Sequence, residues 1–188
     1  MSEVTTGAGR RAVFFDRDGV LNRLVSRDGM QAAPQRIEDF HLIPDAARLV
    51  GQVRQAGFLA FVITNQPDIA RGLLPERDLE SMTAALRGAV PLDDVMICPH
   101  DDPDQCACRK PKPGMLVTLS ERWNVDLKRS FVVGDSWKDI EAGQRVGCKT
   151  ILLAGGDANG PMERSVPPDA VVGSLADAIA WVTERAEQ

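Results

Sequence analysis

Short apolar runs that stop at an acidic or amide residue recur along this chain, and stretches of helical period separate them. Ala12–Phe15 (AVFF) runs into Asp16, Phe58–Thr64 (FLAFVIT) into Asn65, and Phe131–Val133 (FVV) into Gly134-Asp135. Runs without polar alternation suit strands buried on both faces, and the intervening helices supply the crossovers that parallel strands need. Further strands are predicted over 95–98, 150–153 and 170–172. Helices are predicted from Pro44 to Gln55, from Pro75 to Val90, after Pro113, from Lys138 to Val146, and after Ser174, where Asp177 completes a capping box. The expectation is an α/β fold with helices on both faces of a mainly parallel sheet.

With 188 residues, 44% of them apolar, the chain is sized for one domain with a full core. We expect residues 1–10 to form a flexible tail and residues 11–188 a single domain. A net charge of −5 and 5% aromatics without tyrosine disfavour nucleic acid and anionic membrane as partners. The longest clean apolar run, Phe58–Ile63, is far too short to span a bilayer, and the N-terminus lacks the apolar centre of a signal peptide. The expected location is cytoplasmic. Residues 23–42 and 99–112 fit the alternation worst, and long loops in compact domains tend to carry function.

The strand ends carry the chemistry. Asp16 and Asp18 follow the first strand, with Gly19 freeing the turn; Thr64 and Asn65 end the second; Asp135 and Asp139 follow the fourth. In such sheets ligands bind beyond the carboxyl ends of the strands. Two carboxylates one residue apart repel and need a cation or a shared proton, although a solvated Asp-Gly turn is the plain alternative. Arg109 and Lys110 follow the third strand's loop and balance the acids. Three aspartates, a threonine and a lysine can make a magnesium-assisted phosphoryl-transfer site.

Cys98-x-His100, five residues, then Cys106-x-Cys108 offers four ligands for tetrahedral zinc. The alternatives are a disulfide or thiols that merely pack. A zinc loop over 98–108 would hold Arg109 and Lys110 in place without touching substrate. Cys148 lies apart and reads as a small buried residue. His41 reads as structural, Arg71 as a loop residue near the site, Trp137 as a packing residue, and Asp101-Asp102-Asp104 as a solvated loop tip.

"DRDGVLN", "TNQ", "RKPKPG" and "GDSWKD" in this order, over residues 11–155, resemble the four signature segments of the haloacid dehalogenase superfamily of phosphatases. The resemblance implies a Rossmann-like three-layer α/β/α fold, and the chain leaves no room for a large cap domain. It implies Asp16 as nucleophile, Asp18 as acid and base, Thr64 on the phosphoryl oxygens and Lys110 neutralising phosphate and nucleophile. Asn65, Gln66, Arg109 and Lys110 would bind substrate. Mg²⁺ would sit on Asp16, Asp135 and the Asp18 carbonyl, with Asp139 supporting it.

"CPH…CACRKPKPG" with "TNQPDIARG" is similar to the phosphatases acting at C7 of D-glycero-D-manno-heptose 1,7-bisphosphate, and to the related histidinol-phosphate phosphatases. Three departures stand out: the zinc loop is short, Pro67-Asp68 replaces the common Ser-Gly, and Ser136 follows the motif aspartate where many heptose enzymes carry lysine. The implied function is a monomeric, Mg²⁺-dependent and Zn²⁺-containing phosphatase for a small phosphorylated sugar, first heptose bisphosphate and second histidinol phosphate or another small phosphometabolite. A zinc-knuckle binding module is the non-enzymatic rival; it leaves the acidic rim unexplained.

Overall fold

The computed structural model describes residues 9–155 and 167–186. Most of the predicted N-terminal tail and of the Gly155–Pro161 loop lies outside the described residues. Six parallel strands form one sheet: β1 (Ala12–Phe15), β4 (Leu59–Asn65), β5 (Asp94–Cys98), β6 (Phe131–Gly134), β7 (Lys149–Leu153) and β8 (Ala170–Val172). Their order is β5-β4-β1-β6-β7-β8. The chain builds outward from β1 on one side through β4 and β5, then returns to continue from β6 on the other. The reversal lies between β1 and β6, which pair Val13 with Phe131 and Phe15 with Val133. That is where a sheet of this kind opens a crevice beyond its strand ends.

Five α-helices flank the sheet: α1 (Ala46–Gln55), α2 (Glu76–Ala89), α3 (Gly114–Trp123), α4 (Trp137–Gln144) and α5 (Leu175–Glu184). Alternation along each strand divides the core. Val13, Phe15, Ala60, Val62 and Val133 face α1, α2 and α5, packing with Val50, Val53, Met82, Leu86, Ile179 and Val182. Ala12, Phe14, Leu59, Phe61, Ile63 and Val132 face α3 and α4, packing with Met115, Leu116, Leu119 and Ala142. Both faces are therefore apolar, which is why these strands read as unbroken runs rather than alternating ones.

The predicted elements differ from the observed ones by a residue or two at their ends, as helix and strand limits commonly do. Asp45 ends the α1 entry in the left-handed region (φ 63°) and makes no side-chain cap. One pair of strands went unpredicted: β2 (Val25–Arg27) and β3 (Met30–Ala32) form an antiparallel hairpin inside the 23–42 excursion. Its turn, Asp28-Gly29, has positive φ at both residues, the geometry that hairpin turns favour. No helix among the described residues is long and apolar enough to cross a membrane.

Phe61 is fully buried in β4, its ring 5.2 Å from Phe14 and 5.7 Å from Trp123. We expect Phe61→Ala to cost about 3–5 kcal/mol in urea unfolding. Val171→Ala, at a side chain 60% exposed, should stay within about 0.5 kcal/mol.

Candidate active site

Four strand ends converge on one cleft of about 730 Å³. The Asp16 N–H donates to the Val133 carbonyl (2.9 Å), fixing the first aspartate against β6. The Gln66 N–H donates to the Cys98 carbonyl (2.7 Å), fixing the end of β4 against β5. Gly19 (φ +81°) lies so close to the Asp135 carboxylate that a Cβ there would come within 2.0 Å of Oδ2. At Gly134 a Cβ would come within 2.2 Å of the Asp139 Cβ. These two glycines let three acidic segments approach closely.

Lys110 ties the segments together. Its ammonium donates to Asp16 Oδ1 (2.7 Å), Asp139 Oδ1 (2.6 Å) and the Ile63 carbonyl (2.8 Å), and the side chain is 4% exposed. All three of its donors are satisfied. Burial alone would pull this lysine down, but the charges of Asp139 and Asp16 outweigh it and hold the ammonium above its ordinary range. The Asn65 amide braces the same residue in both directions: Nδ2 donates to the Lys110 carbonyl and Oδ1 accepts from its N–H, each at 3.1 Å.

One carboxylate oxygen from each of Asp16, Asp135 and Asp139 lies within 4.8 Å of the others. In an octahedron with metal–oxygen bonds of about 2.1 Å, ligand oxygens lie about 3.0 Å (adjacent) or about 4.2 Å (opposite) apart, so Asp16 and Asp135 could share Mg²⁺ with Asp139 beside them. The electrostatics point the same way. Burial first, then the charge of Asp16, pushes Asp135 up to about 8. Burial also raises Asp16 to about 7, against the pull of Lys110 and with the push of Asp139 and Asp18. One lysine does not neutralise this group of acids, and a divalent cation would. Asp139 faces both ways, since Oδ1 meets Lys110 while Oδ2 accepts from the Ser136 N–H (3.2 Å).

Asp18 has a separate shell. Its carboxylate accepts from Arg17 Nη2 (2.9 Å to each oxygen), Asn22 Nδ2 (3.0 Å) and Gln66 Nε2 (2.7 Å). Gln66 also donates to the Thr64 hydroxyl (2.8 Å), so Thr64, 1% exposed, stands behind Gln66 rather than on the cleft wall. Sequence reasoning passed over Arg17 and Asn22. The available signal was an arginine placed directly after a wholly apolar strand and between two aspartates.

The Cys98, His100, Cys106 and Cys108 donor atoms lie within 4.8 Å of one another. Cys108 Sγ is 3.1 Å from Cys98 Sγ, 3.5 Å from Cys106 Sγ and 3.3 Å from His100 Nδ1. A disulfide needs about 2.05 Å, and all four cysteines are free. A zinc tetrahedron with bonds of about 2.3 Å has edges near 3.8 Å, so the donor set fits zinc. Burial, first of several causes, pushes the Cys98 thiol up, a burden that coordination to a cation would relieve. The loop is also tied from outside. Arg109 Nε donates to Asp102 Oδ1 (2.7 Å), and Arg71 Nε and Nη2 donate to Asp101 (2.7 and 2.8 Å). Asp101 and Asp102 thus organise the rim instead of being a merely solvated tip, and Arg71 lines the cleft.

The shifts carry a pH signature. A carboxyl raised from 3.8 to about 7 or 8 stabilises the fold below its unfolded value and loses that contribution as pH rises through the folded one. The raised Lys110 contributes fully below 10.5 and loses that contribution only above it, so it adds no slope between pH 6 and 9. We expect magnesium-free protein, its zinc retained, to lose about 5 °C or more of Tm between pH 6 and 9. Added Mg²⁺ should restore it most at the alkaline end; calorimetry showing a flat Tm without magnesium would contradict this account.

The HAD-hydrolase-like family matches residues 107–178. The D-glycero-beta-D-manno-heptose-1,7-bisphosphate 7-phosphatase of Pseudomonas putida is 35% identical over 175 residues, covering 90% of this chain and 97% of that one. The enzyme of the same name from Rhodopseudomonas palustris is 38% identical over 168 residues, covering 82% and 89%. The crystal structure of D,D-heptose 1,7-bisphosphate phosphatase from B. bronchiseptica, complexed with magnesium and phosphate, superposes with a TM-score of 0.79 at 28% identity, covering 93% of this chain and 99% of that one. Agreement in fold and in nearly full-length sequence leads to one conclusion: this chain belongs to the haloacid dehalogenase-like hydrolases, in the family of the heptose-1,7-bisphosphate 7-phosphatases.

Proposed function

We propose that this protein is a Mg²⁺-dependent phosphatase that removes the C7 phosphate of D-glycero-D-manno-heptose 1,7-bisphosphate through an aspartyl-phosphate. The observation that carries the reading is the Lys110 ammonium held between Asp16 (2.7 Å) and Asp139 (2.6 Å) at the floor of the cleft. A cation there offsets the negative charge that would otherwise keep a phosphate away from an aspartate nucleophile. The relatives' names supply the substrate.

In this reading Asp16 Oδ attacks phosphorus while the bond to the sugar oxygen breaks. Asp18 gives that oxygen a proton, so the sugar leaves as an alcohol rather than an alkoxide. Asp18 then takes a proton from water as the water attacks the aspartyl-phosphate, which restores Asp16 and releases inorganic phosphate. Arg17, Asn22 and Gln66 hold Asp18 beside the reacting group. Magnesium, held by Asp16, Asp135 and the Asp18 carbonyl with Asp139 in support, would add positive charge against the transferring phosphoryl group. Thr64 acts through Gln66, and Asn65 through the Lys110 peptide.

We expect Asp16→Asn to lower kcat by at least about 10³-fold while circular dichroism and Tm stay native. Turnover within tenfold of wild type would refute the nucleophile. Wild-type kcat/KM should be highest for heptose 1,7-bisphosphate when it is compared with histidinol phosphate and other phosphosugars. Preference for histidinol phosphate would move the enzyme to the runner-up activity.

The zinc we assign to Cys98, His100, Cys106 and Cys108 is structural. Lys110 follows Cys108 by two residues, so the metal fixes where the ammonium enters the cleft. Metal analysis is expected to find one equivalent of zinc in the wild type and none in Cys108→Ser, whose kcat/KM should fall by about 10–100-fold. Full activity in a zinc-free variant would overturn the assignment.

A further inference from the structure

Among the described residues, five cationic ones line the cleft: Arg27, Arg71, Arg109, Lys110 and Lys138. Four are committed to carboxylates. Lys110 meets Asp16 at 2.7 Å, Arg109 meets Asp102 at 2.7 Å, Arg71 meets Asp101 at 2.7 Å, and Arg27 lies 3.9 Å from Asp68. Lys138 differs. Among the described residues its ammonium has no ion pair, and it lies 5.8 Å from the centroid of the Trp137 ring.

Position 138 follows from how α4 begins. Ser136 accepts from the Lys138 N–H (3.2 Å), and its own N–H donates to Asp139 Oδ2 (3.2 Å). This reciprocal cap occupies residue 136 with starting the helix. The cation on this wall therefore sits two residues further on, on the same short helix that brings Asp139 to Lys110. Lys138 lines the same cleft as Arg109 and Lys110, and it is half-buried where those two are buried.

Among the described residues, the cleft's carboxylates, Asp16, Asp18, Asp68, Asp135 and Asp139, already balance its cations in number. A substrate with a second dianion must find positive charge that is not already neutralised. We propose that Lys138 binds the second, non-reacting phosphate of a sugar bisphosphate and so sets the preference for bisphosphates over monophosphates. This deepens the function proposed above and rests on it. A flexible stem and a compact ammonium suit a phosphate whose position varies with the sugar.

The test separates binding from turnover. In an Asp16→Asn background, calorimetry compares heptose 1,7-bisphosphate with the 7-monophosphate of the same sugar. The bisphosphate should bind more tightly, and adding Lys138→Gln should shrink that preference about tenfold, equivalent to about 1.4 kcal/mol. Lys138→Arg should restore most of it. An unchanged preference in Lys138→Gln, or no preference in the Asp16→Asn parent, would overturn the proposal. Failure of the phosphatase reading would show elsewhere, as no turnover of either ester by the wild-type enzyme.

Discussion

A single buried ammonium decides how this site can exist. Lys110 reaches the floor of the cleft with Asp16 and Asp139 on either side and the Ile63 carbonyl as its third partner. Removing a lysine and two carboxylates from water costs several kcal/mol per ion, and only close, fully satisfied contacts offset that cost. The surrounding segments supply those contacts: Asn65 fixes the Lys110 peptide, Ser136 fixes Asp139, and the backbone of β6 fixes Asp16. Much of the local structure makes sense as a frame for this one charge.

The frame rests on an apolar sheet that does no chemistry. Both faces of β1, β4 and β6 are sealed by helices, so the only polar exits are the strand ends. Close approach there depends on missing side chains, at Gly19 against Asp135 and Gly134 against Asp139. The arrangement buries and concentrates acids, and Asp16 and Asp135 are both pushed upward, first by that burial and then by their neighbours' charges. A stable core tolerates such a strained corner because the corner is small and its cost is spread over many contacts elsewhere.

Two loops convert this corner into a selective cleft. The β2–β3 hairpin contributes Arg27 and Met30 to one wall, and the cysteine loop contributes Arg109 to another. Asp68 joins them: it accepts from Gln35 Nε2 (2.6 Å) beside the hairpin and from Arg71 Nη1 (3.4 Å). Arg71 continues to Asp101 and so to the zinc loop. The departures from the family pattern therefore fall on the walls of the cleft and leave its floor intact, which is where a change of substrate preference without a change of chemistry would be built.

The periodicity of the chain determined the α/β layering, since runs such as AVFF and FVV bury on both faces in no simpler way. It also determined the acidic rim and the four metal-ligand candidates of the cysteine loop, because those residues lie at strand ends or within ten positions of each other. Arg17 on Asp18, Asp101 on Arg71, and a Lys138 without an ion pair among the described residues were not legible. A charged side chain carries no periodic signal that names its partner, and Arg71 and Asp101 are brought together only when β4 and β5 pair in register. Local sequence sets which groups are available at each strand end; which charge neutralises which is decided by distance in space, because electrostatic energy depends on separation and burial, and only the packed sheet sets those.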